Sequence, residues 1–577
     1  MLNFQLRFFA LGVASAALVM SGVCSAAAEE TTGTIELSVL DAATGHSTPA
    51  RIIVTDSSGG FHVAENAMLV EMRVGDLESP VGQLSLQEAQ AGLTRRVINT
   101  YNGADHWYST GRSTIALEPG VYRVTVNKGP EYKTESRDVV VESGQATSLF
   151  VPLARWIEMA AEGWYSADAH LHIARPTPDL NPSFLRWMRA EDLNIANCLE
   201  WGHSKYFHNA VQYAHGEDGR HQEDHFVIAS GQENPRTHFL GHTIILGADS
   251  PIDFRQQYLN YGLFWEEARR HGAVSGYAHK GNGNGATGLS IDLPNQLISF
   301  LEVIQLGAAD YKLWYDILNS GFRMTPVAGT DFPYGCSHIP GRERFYTKID
   351  APFSFEAWLE GIRGGRTFVT NGPMLEFRVD GHVSGTEIRL DEPGPVRIEA
   401  TVRFNPASDD VTALEVVENG DVIKRFAVEP GASEIRCEFE HRISEAGWLA
   451  VHATGKKISD TLPAVLWPRQ KATTIVRAPS DAHAAPVYLS IEGLPTRDRH
   501  ARARKLAPQW LKRLDTLEQQ LTGTGIDKLA IWPSFADGVE MDVLLRDRRA
   551  LLEAIETAQH YFTEQSKEGQ HRDNQSP

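Results

Sequence analysis

Hydrophobic and polar positions alternate in two stretches of this chain and follow a helical rhythm elsewhere. Residues 33 to 155 look all-β: positions 35–40 and 51–55 alternate as half-buried strands do. Positions 114–117 and 122–126 flank Pro119-Gly120, a turn signal between strands. A small β-sandwich is expected there. From 156 to about 375, short apolar strands alternate with amphipathic helices, the order of a parallel sheet or barrel. Asp179-Leu-Asn-Pro182 reads as a helix start, and a second helix through Phe264, Trp265 and Ala268 stops at His271-Gly272. A strand over 273–277 runs into His279, a helix over 311–319 ends at Gly321, and a strand over 325–328 follows. Residues 376 to about 495 return to β, with Asn419-Gly420 marking a hairpin and a further strand over 486–492. Leu506, Trp510, Leu514, Leu517 and Leu521 then recur at helical spacing, and 541–562 forms a second such stripe. The polar tail from Glu564 reads as disordered.

Composition alters this little. A chain of 577 residues has room for about three or four domains and for large cores that need no disulfides. The first residues matter more. Arg7 precedes an apolar run from Phe8 to Met20, too short to span a bilayer comfortably, and Ala26-Ala27-Ala28 offers a small-residue cleavage site. Residues 1–28 therefore read as a secretory signal, and the protein is expected to be periplasmic or secreted. Val23 before Cys24 argues against a lipid anchor, and no later run suggests membrane insertion. A formal charge of −19 without a basic cluster argues against nucleic acid as a partner. Cys198, Cys336 and Cys437 remain after cleavage, an odd number, so one thiol at least stays unpaired within the chain. Cys198 and Cys336 read as buried thiols.

Four short pieces carry residues that bind metal well: Asp168-Ala-His170-Leu-His172, Glu233 with His242, Tyr277-Ala-His279, and Ala328-Gly-Thr-Asp331. Each follows or ends a predicted strand. Residues i and i+2 of a strand share a face, so His170 and His172 can aim two imidazoles at one ion, with Asp168 on the same face. A His-x-His pair alone is common in a chain with 22 histidines; its company gives it weight. Carboxylates such as Glu233 and Asp331 can bridge two ions, and mixed nitrogen and oxygen ligation suits Zn, Mn or Fe. Gly281-Asn-Gly-Asn-Gly285 lacks the ending of a phosphate loop and reads as a flexible loop beside the site. His208, His215, His221 and His225 fall in a polar stretch read as a loop, and His238 is expected at the surface. Arg342 and Arg344 are candidates to grip an anionic substrate group, with a salt-bridged loop as the alternative. Lys280 is a weaker substrate contact.

The sequence from Gly163 to His172, Gly-Trp-Tyr-Ser-Ala-Asp-Ala-His-Leu-His, resembles the opening of the PHP (polymerase and histidinol phosphatase) superfamily. It resembles more closely the CehA/McbA-type metallohydrolases within it. Gly231-Gln-Glu233 with Gly241-His242, Ala278-His279, Gly329-Thr-Asp331 and the run from Gly365 to Pro373 fit that pattern. So does an upstream sandwich, carboxypeptidase-regulatory-like, ending in Leu153-Ala-Arg-Trp156. The resemblance implies a distorted seven-stranded (β/α) barrel, two or three divalent metal ions, and hydrolysis of phosphate, carboxylate or carbamate esters. Two motifs depart from it. Where the superfamily has Asp-His after its second strand, this chain has Glu200-Trp-Gly-His203, so either Glu200 takes the ligand place or His203 reaches back to it. Where Asp-x-His is usual, Asp331 is followed by Phe332-Pro333, and the next histidine is His338.

The expected architecture is α/β: signal 1–28, sandwich 33–155, PHP-like barrel 156–375, β-rich domain 376–495, helical segment 496–563 and tail 564–577. The expected function is an exported metal-dependent hydrolase that cleaves a small ester-type substrate with metal-activated water. His170, His172, Glu200, Glu233, His242, His279 and Asp331 would hold metal, and His203 or His338 would protonate the leaving group. Arg342, Arg344 and Lys280 would contact substrate. The rival is a non-catalytic periplasmic binding protein on a partly degenerate barrel, favoured by the two altered motifs.

Overall fold

The computed structural model describes residues 32–68, 106–203, 206–279, 286–305, 308–309, 311–332, 339–350, 352–456, 479–492, 497–530 and 539–567, without the side chains of 203, 206–209, 286, 308 and 497–500. The expected signal segment, Lys280, the 281–285 loop, Cys336, His338 and the side chain of His203 lie outside what is described. The chain is mixed α/β, mostly strands in several sheets with few helices.

Alternation builds the first unit as expected. In Gly33–Asp41, Ile35, Leu37 and Val39 are buried while their neighbours are not, and Ala50–Asp56 repeats the pattern with Ile52 and Val54. These strands belong to two sheets, of three and four strands, that share one core. Pro119-Gly120 is a corner rather than a hairpin, because Arg112–Leu117 pairs with Gly33–Asp41 while Gly120–Asn127 pairs with Ala50–Asp56. Arg51 and Tyr108 both donate to Glu191 at 2.7 Å, tying this unit to the next.

The second unit is a mixed sheet. Its strands are β1 (Trp164–Leu171), β2 (Ile195–His203), β3 (Phe226–Gln232), β4 (Gly241–Leu246), β5 (Val274–Tyr277), β6 (Phe300–Gln305), β7 (Thr325–Ala328), β8 (Arg344–Lys348) and β9 (Thr367–Thr370). β1, β2 and β3 run parallel, as do β5, β6 and β7. β4 is antiparallel to both neighbours, and β8 is antiparallel to β1 and β9. An all-parallel reading fails at β4 because only residues 233–240 separate it from β3. A parallel crossover needs about a dozen residues or more. No backbone ladder joins β7 to β1 or β9 among the described residues, so a closed barrel is not found. One isolated bridge, Leu171 to Phe332, and a hydrogen bond from Thr367 Oγ1 to the Pro326 carbonyl cross that gap.

Helices cover this sheet. α1 (Asn181–Ala190) starts with Pro182 in its first turn and buries Phe184, Leu185, Trp187 and Met188. α2 (Tyr261–Arg270) is capped by the Asn260 side chain and ends before Gly272, whose φ of 71° suits glycine. α3 (Ala286–Asp292), α4 (Lys312–Asn319) and α5 (Phe355–Arg363) follow. The sheet passes the boundary expected near residue 375 without a break, since β9 pairs with Asp481–Ala484. A further sheet of four strands, including Met374–Val379 and Gly394–Arg403, shares a second core with Val411–Glu418 and Gly447–Gly455. Two long helices, α6 (Arg497–Thr522) and α7 (Met541–Lys567), join the core around β5 through Trp510, Leu514 and Phe562. α7 keeps residues 564–567 helical, where a disordered tail was expected. Cys198 and Cys437 are buried free thiols. Among the described residues no helix is long and apolar enough to cross a membrane.

Asp292, at the end of α3, is a buried carboxyl that accepts from Trp265 Nε1 at 2.7 Å and Tyr277 Oη at 2.6 Å. Burial pushes its pKa up to about 6. A carboxyl raised above its unfolded value costs stability as pH climbs from about 4 to about 6, and the full cost persists above that. Asp292→Asn should therefore gain stability relative to wild type across this window, by an amount on the order of 3 kcal/mol, and hold a constant offset above it. Thermal melts of both proteins from pH 4 to 8 check this; parallel melting curves would assign the carboxyl no such cost.

Candidate metal centre

The candidate ligands gather at one edge of the mixed sheet. His170 lies in β1 and His172 just beyond it, Glu233 follows β3, His279 follows β5, and Asp331 follows β7. His242 is the second residue of β4, whose reversed direction brings its start to that edge. His279 and Asp331 leave their strands with φ of 54° and 57°. Such left-handed residues cost energy and concentrate where a site demands a particular side-chain direction. Three groups result whose ligand atoms lie within 4.8 Å of one another: His170, His172 and Glu233; His170, His279 and Glu302; and Glu233, His242 and His279. All of these residues are buried.

Second partners fix the imidazoles. His172 Nδ1 sits 3.0 Å from the Leu199 carbonyl, which can only accept, so Nδ1 carries the proton and Nε2 a lone pair. His170 Nδ1 faces both oxygens of Glu302, at 3.2 and 3.3 Å, and donates there. The two Nε2 atoms are then 3.1 Å apart. Two lone pairs at that distance repel unless a positive charge, a proton or a metal ion, joins them. Carboxylates surround the same point. Asp331 Oδ1 lies 3.0 Å from His172 Nε2 and 3.4 Å from His170 Nε2, and Glu233 Oε2 lies 3.3 and 3.6 Å from the same atoms. Glu233 Oε1 meets His242 Nδ1 at 2.8 Å and His279 Nε2 at 3.0 Å. His279 Nδ1 in turn meets Gln305 Oε1 at 2.8 Å.

Electrostatics agree. Burial works against charge on His170, but Glu302, Asp331 and Glu233 outweigh it and hold its pKa well above the ordinary value. Burial alone would lift Glu233; Arg236, His170 and His242 hold it well below the carboxylate range instead. Asp331 is lowered likewise, burial being overcome by His170 and His172. With a metal ion in place of the extra proton on His170, the imidazoles and bridging-capable carboxylates form a donor set that fits divalent transition metals.

Not every expected residue joins this cluster. Glu200 is taken by His215 Nε2 at 3.2 Å and the backbone N–H of Gln212 at 3.4 Å, and it belongs to none of the three metal-capable groups. Asp168 does not face the ligands. Its oxygens accept from His170 N, Thr330 N, Thr330 Oγ1 and Gly341 N, at 2.9, 3.1, 2.6 and 2.8 Å. It pins the segments after β7 to β1, and burial pushes its pKa up to about 7 against the pull of those donors. Arg344 is buried and donates to the carbonyls of Gly341, Asp192 and Glu191, so it braces the fold and is not placed to grip a substrate. Arg342 is partly exposed and pairs with Glu343 at 2.6 Å. His221 lies in a short strand, His221–Glu223, rather than a loop.

Glu302 and Arg236 were not singled out from sequence. Glu302 is the lone charge in the wholly buried strand β6, which is a signal that sequence carries. Arg236 follows Glu233 by three residues, a spacing with no special meaning before the turn is known.

No family model matches the chain, and no curated protein matches its sequence. Among solved structures it is similar to the Bacillus anthracis TIE protein, at 8% identity over 80% of this chain and 50% of that one, with a TM-score of 0.13. The chain thus spans about half the length of that protein. A score this low carries no argument.

Proposed function

We propose that this chain is an exported metal-dependent hydrolase of the CehA/McbA type within the PHP superfamily, acting on a small ester-type substrate. One observation carries the reading: the Nε2 lone pairs of His170 and His172 converge at 3.1 Å with Asp331 and Glu233 around them. His170, His172, Asp331 and Glu233 Oε2 would hold one divalent ion, and Glu233 Oε1, His242 and His279 a second. Zn, Mn and Fe all suit the donors. Bound ions supply Lewis acidity and make water nucleophilic near neutral pH. The residues do the rest. Glu302 and the Leu199 carbonyl keep both imidazoles oriented, as outer partners of metal ligands do. Burial of His170, His172, Glu233, His242, His279 and Glu302 limits bulk water and strengthens the charge interactions among them, while Asp331 stays partly exposed. Protonation of the leaving group is assigned to His203 or His338. The bridge between Leu171 and Phe332 supports a distorted PHP-type barrel as the finer description of the sheet.

The test is elemental analysis with a panel of phosphate, carboxylate and carbamate esters. Reconstituted wild type should carry at least one transition-metal ion per chain, and a chelator should remove its activity. Asp331→Asn keeps the side chain's shape, and asparagine accepts the left-handed backbone. It should lose metal or abolish turnover. Metal without turnover on any ester would remove the support for the hydrolase; no metal after reconstitution would end the hydrolase reading and leave the binding-protein one.

A further inference from the structure

A cavity of about 390 Å³ opens at the other edge of the mixed sheet, where β6 and β7 begin. That volume is in the range of pockets that take small molecules. Ser299 just before β6, Thr325 at the start of β7 and Arg363 at the end of α5 line it, and Tyr488 of the strand Val487–Ile491 faces it from the C-terminal sheets. None of the candidate metal ligands does. At one corner the exit of α5 meets the C-terminal sheets backbone to backbone. A Cβ on Gly385 would overlap the Gly364 carbonyl, so the wall there is set by the main chain.

The charges of the cavity are one-sided. Arg323 lies flat on Tyr488, 4.7 Å from the ring centroid, and its Nη2 donates to Glu387 Oε2 at 2.6 Å. Glu387 is the register partner of Tyr488, so the two hold one guanidinium between them. Among the described residues, Nε and Nη1 of Arg323 meet no partner. Arg363 gives Nη1 to Glu360 and Nη2 to the Gly272 carbonyl, and among the same residues its Nε meets none. Both arginines line the cavity; Glu387, Glu360 and every other acid stay off its lining. This is unusual in a chain of formal charge −19. A recess lined by one sign of charge focuses its field and draws the opposite sign. Phe322 and Ile298 add apolar surface beside the guanidiniums.

We propose that this cavity is a second ligand site, separate from the metal centre, that takes a small organic anion. A carboxylate or phosphate group would accept from the unpaired nitrogens of Arg323 and Arg363, and an apolar body would lie against Phe322 and Ile298. The proposal goes beyond the metal-hydrolase reading and does not rest on it.

The test measures binding of benzoate and of its neutral counterpart benzamide to the metal-loaded full chain by calorimetry. Wild type should bind benzoate roughly tenfold tighter than benzamide or better. Arg323→Ala should raise the Kd for benzoate roughly tenfold or more, and Arg323→Lys, which keeps the charge but not the planar group, should fall between. Glu387→Gln should act in the opposite direction, because it removes the charge that competes for Arg323. It should tighten benzoate binding roughly two- to fivefold, a gain that a folding defect does not produce. Equal affinity for benzoate and benzamide would overturn the proposal, as would no binding of benzoate at all. A Kd that follows metal content and ignores both Arg323→Ala and Glu387→Gln would put the anion at the metal centre and overturn it too.

Discussion

Replacing Glu233 by Gln should cost more metal affinity than any other single change in the centre. The carboxylate is buried, and its two oxygens meet four imidazoles and a guanidinium: His242 at 2.8 Å, His279 and Arg236 at 3.0 Å, His172 at 3.3 Å and His170 at 3.6 Å. Glutamine keeps the shape but removes the charge and turns one acceptor into a donor. Either way the amide points, one of the two proposed ion positions loses its oxygen. The loss should exceed the roughly 10- to 100-fold typical of an outer partner of a metal ligand, and turnover should fall with it. The metal-free protein should suffer as well, because the buried Arg236 would lose the charge of its partner Glu233, a defect worth up to about 3–5 kcal/mol. Metal titration and thermal melts with chelator present separate the two effects. A variant that keeps wild-type stoichiometry and melting temperature would remove Glu233 from the centre of the argument.

The order of elements was legible wherever period and punctuation coincided. The alternation at 35–40, the stop at His271-Gly272, the Asn419-Gly420 hairpin and the leucine stripe from Leu506 to Leu521 each correspond to an element in place. The cluster of candidate metal ligands was legible for a related reason. Strand exits are short, so His170, His172, Glu233, His279 and Asp331 stand close to the strands that position them.

Strand direction was less legible, since a short apolar run reads the same whether its neighbour is parallel or antiparallel. That is why β4 and β8 were not foreseen. Roles that depend on partners far along the chain were hidden too. Asp168 and His170 look equivalent in a strand pattern, yet the first turns to Thr330 and Gly341 and the second to the cluster. Arg344 looked like a surface clamp because its carbonyl partners, Glu191 and Asp192, are some 150 residues away. Glu200 lies inside β2, which runs on to His203, rather than beyond the strand's end, and His215 from the following segment claims it.

Gly329 should prove nearly as sensitive as Glu233, although it carries no chemistry. It lies where the exit of β7 passes over β1. A Cβ there would meet Glu302 Oε1 and His170 Cβ at 2.5 Å and His170 N at 2.9 Å, closer than real contacts allow. The obstruction is partly backbone and partly two residues locked together by the His170–Glu302 hydrogen bond, so it cannot relax cheaply. Gly329→Ala should destabilise the protein by about 1–3 kcal/mol, the usual cost of forcing extra atoms into a packed core. It should also move His170 out of reach of its partners and lower metal affinity with every ligand chemically intact. The two variants then differ in a telling way. Excess metal should restore part of the stability and activity of Gly329→Ala, because binding energy can pull a displaced ligand back. It should restore little in Glu233→Gln, where the ligand is gone. Urea unfolding with and without metal measures both. If Gly329→Ala unfolds and binds metal like wild type, the close approach of β7 to His170 does not shape the site.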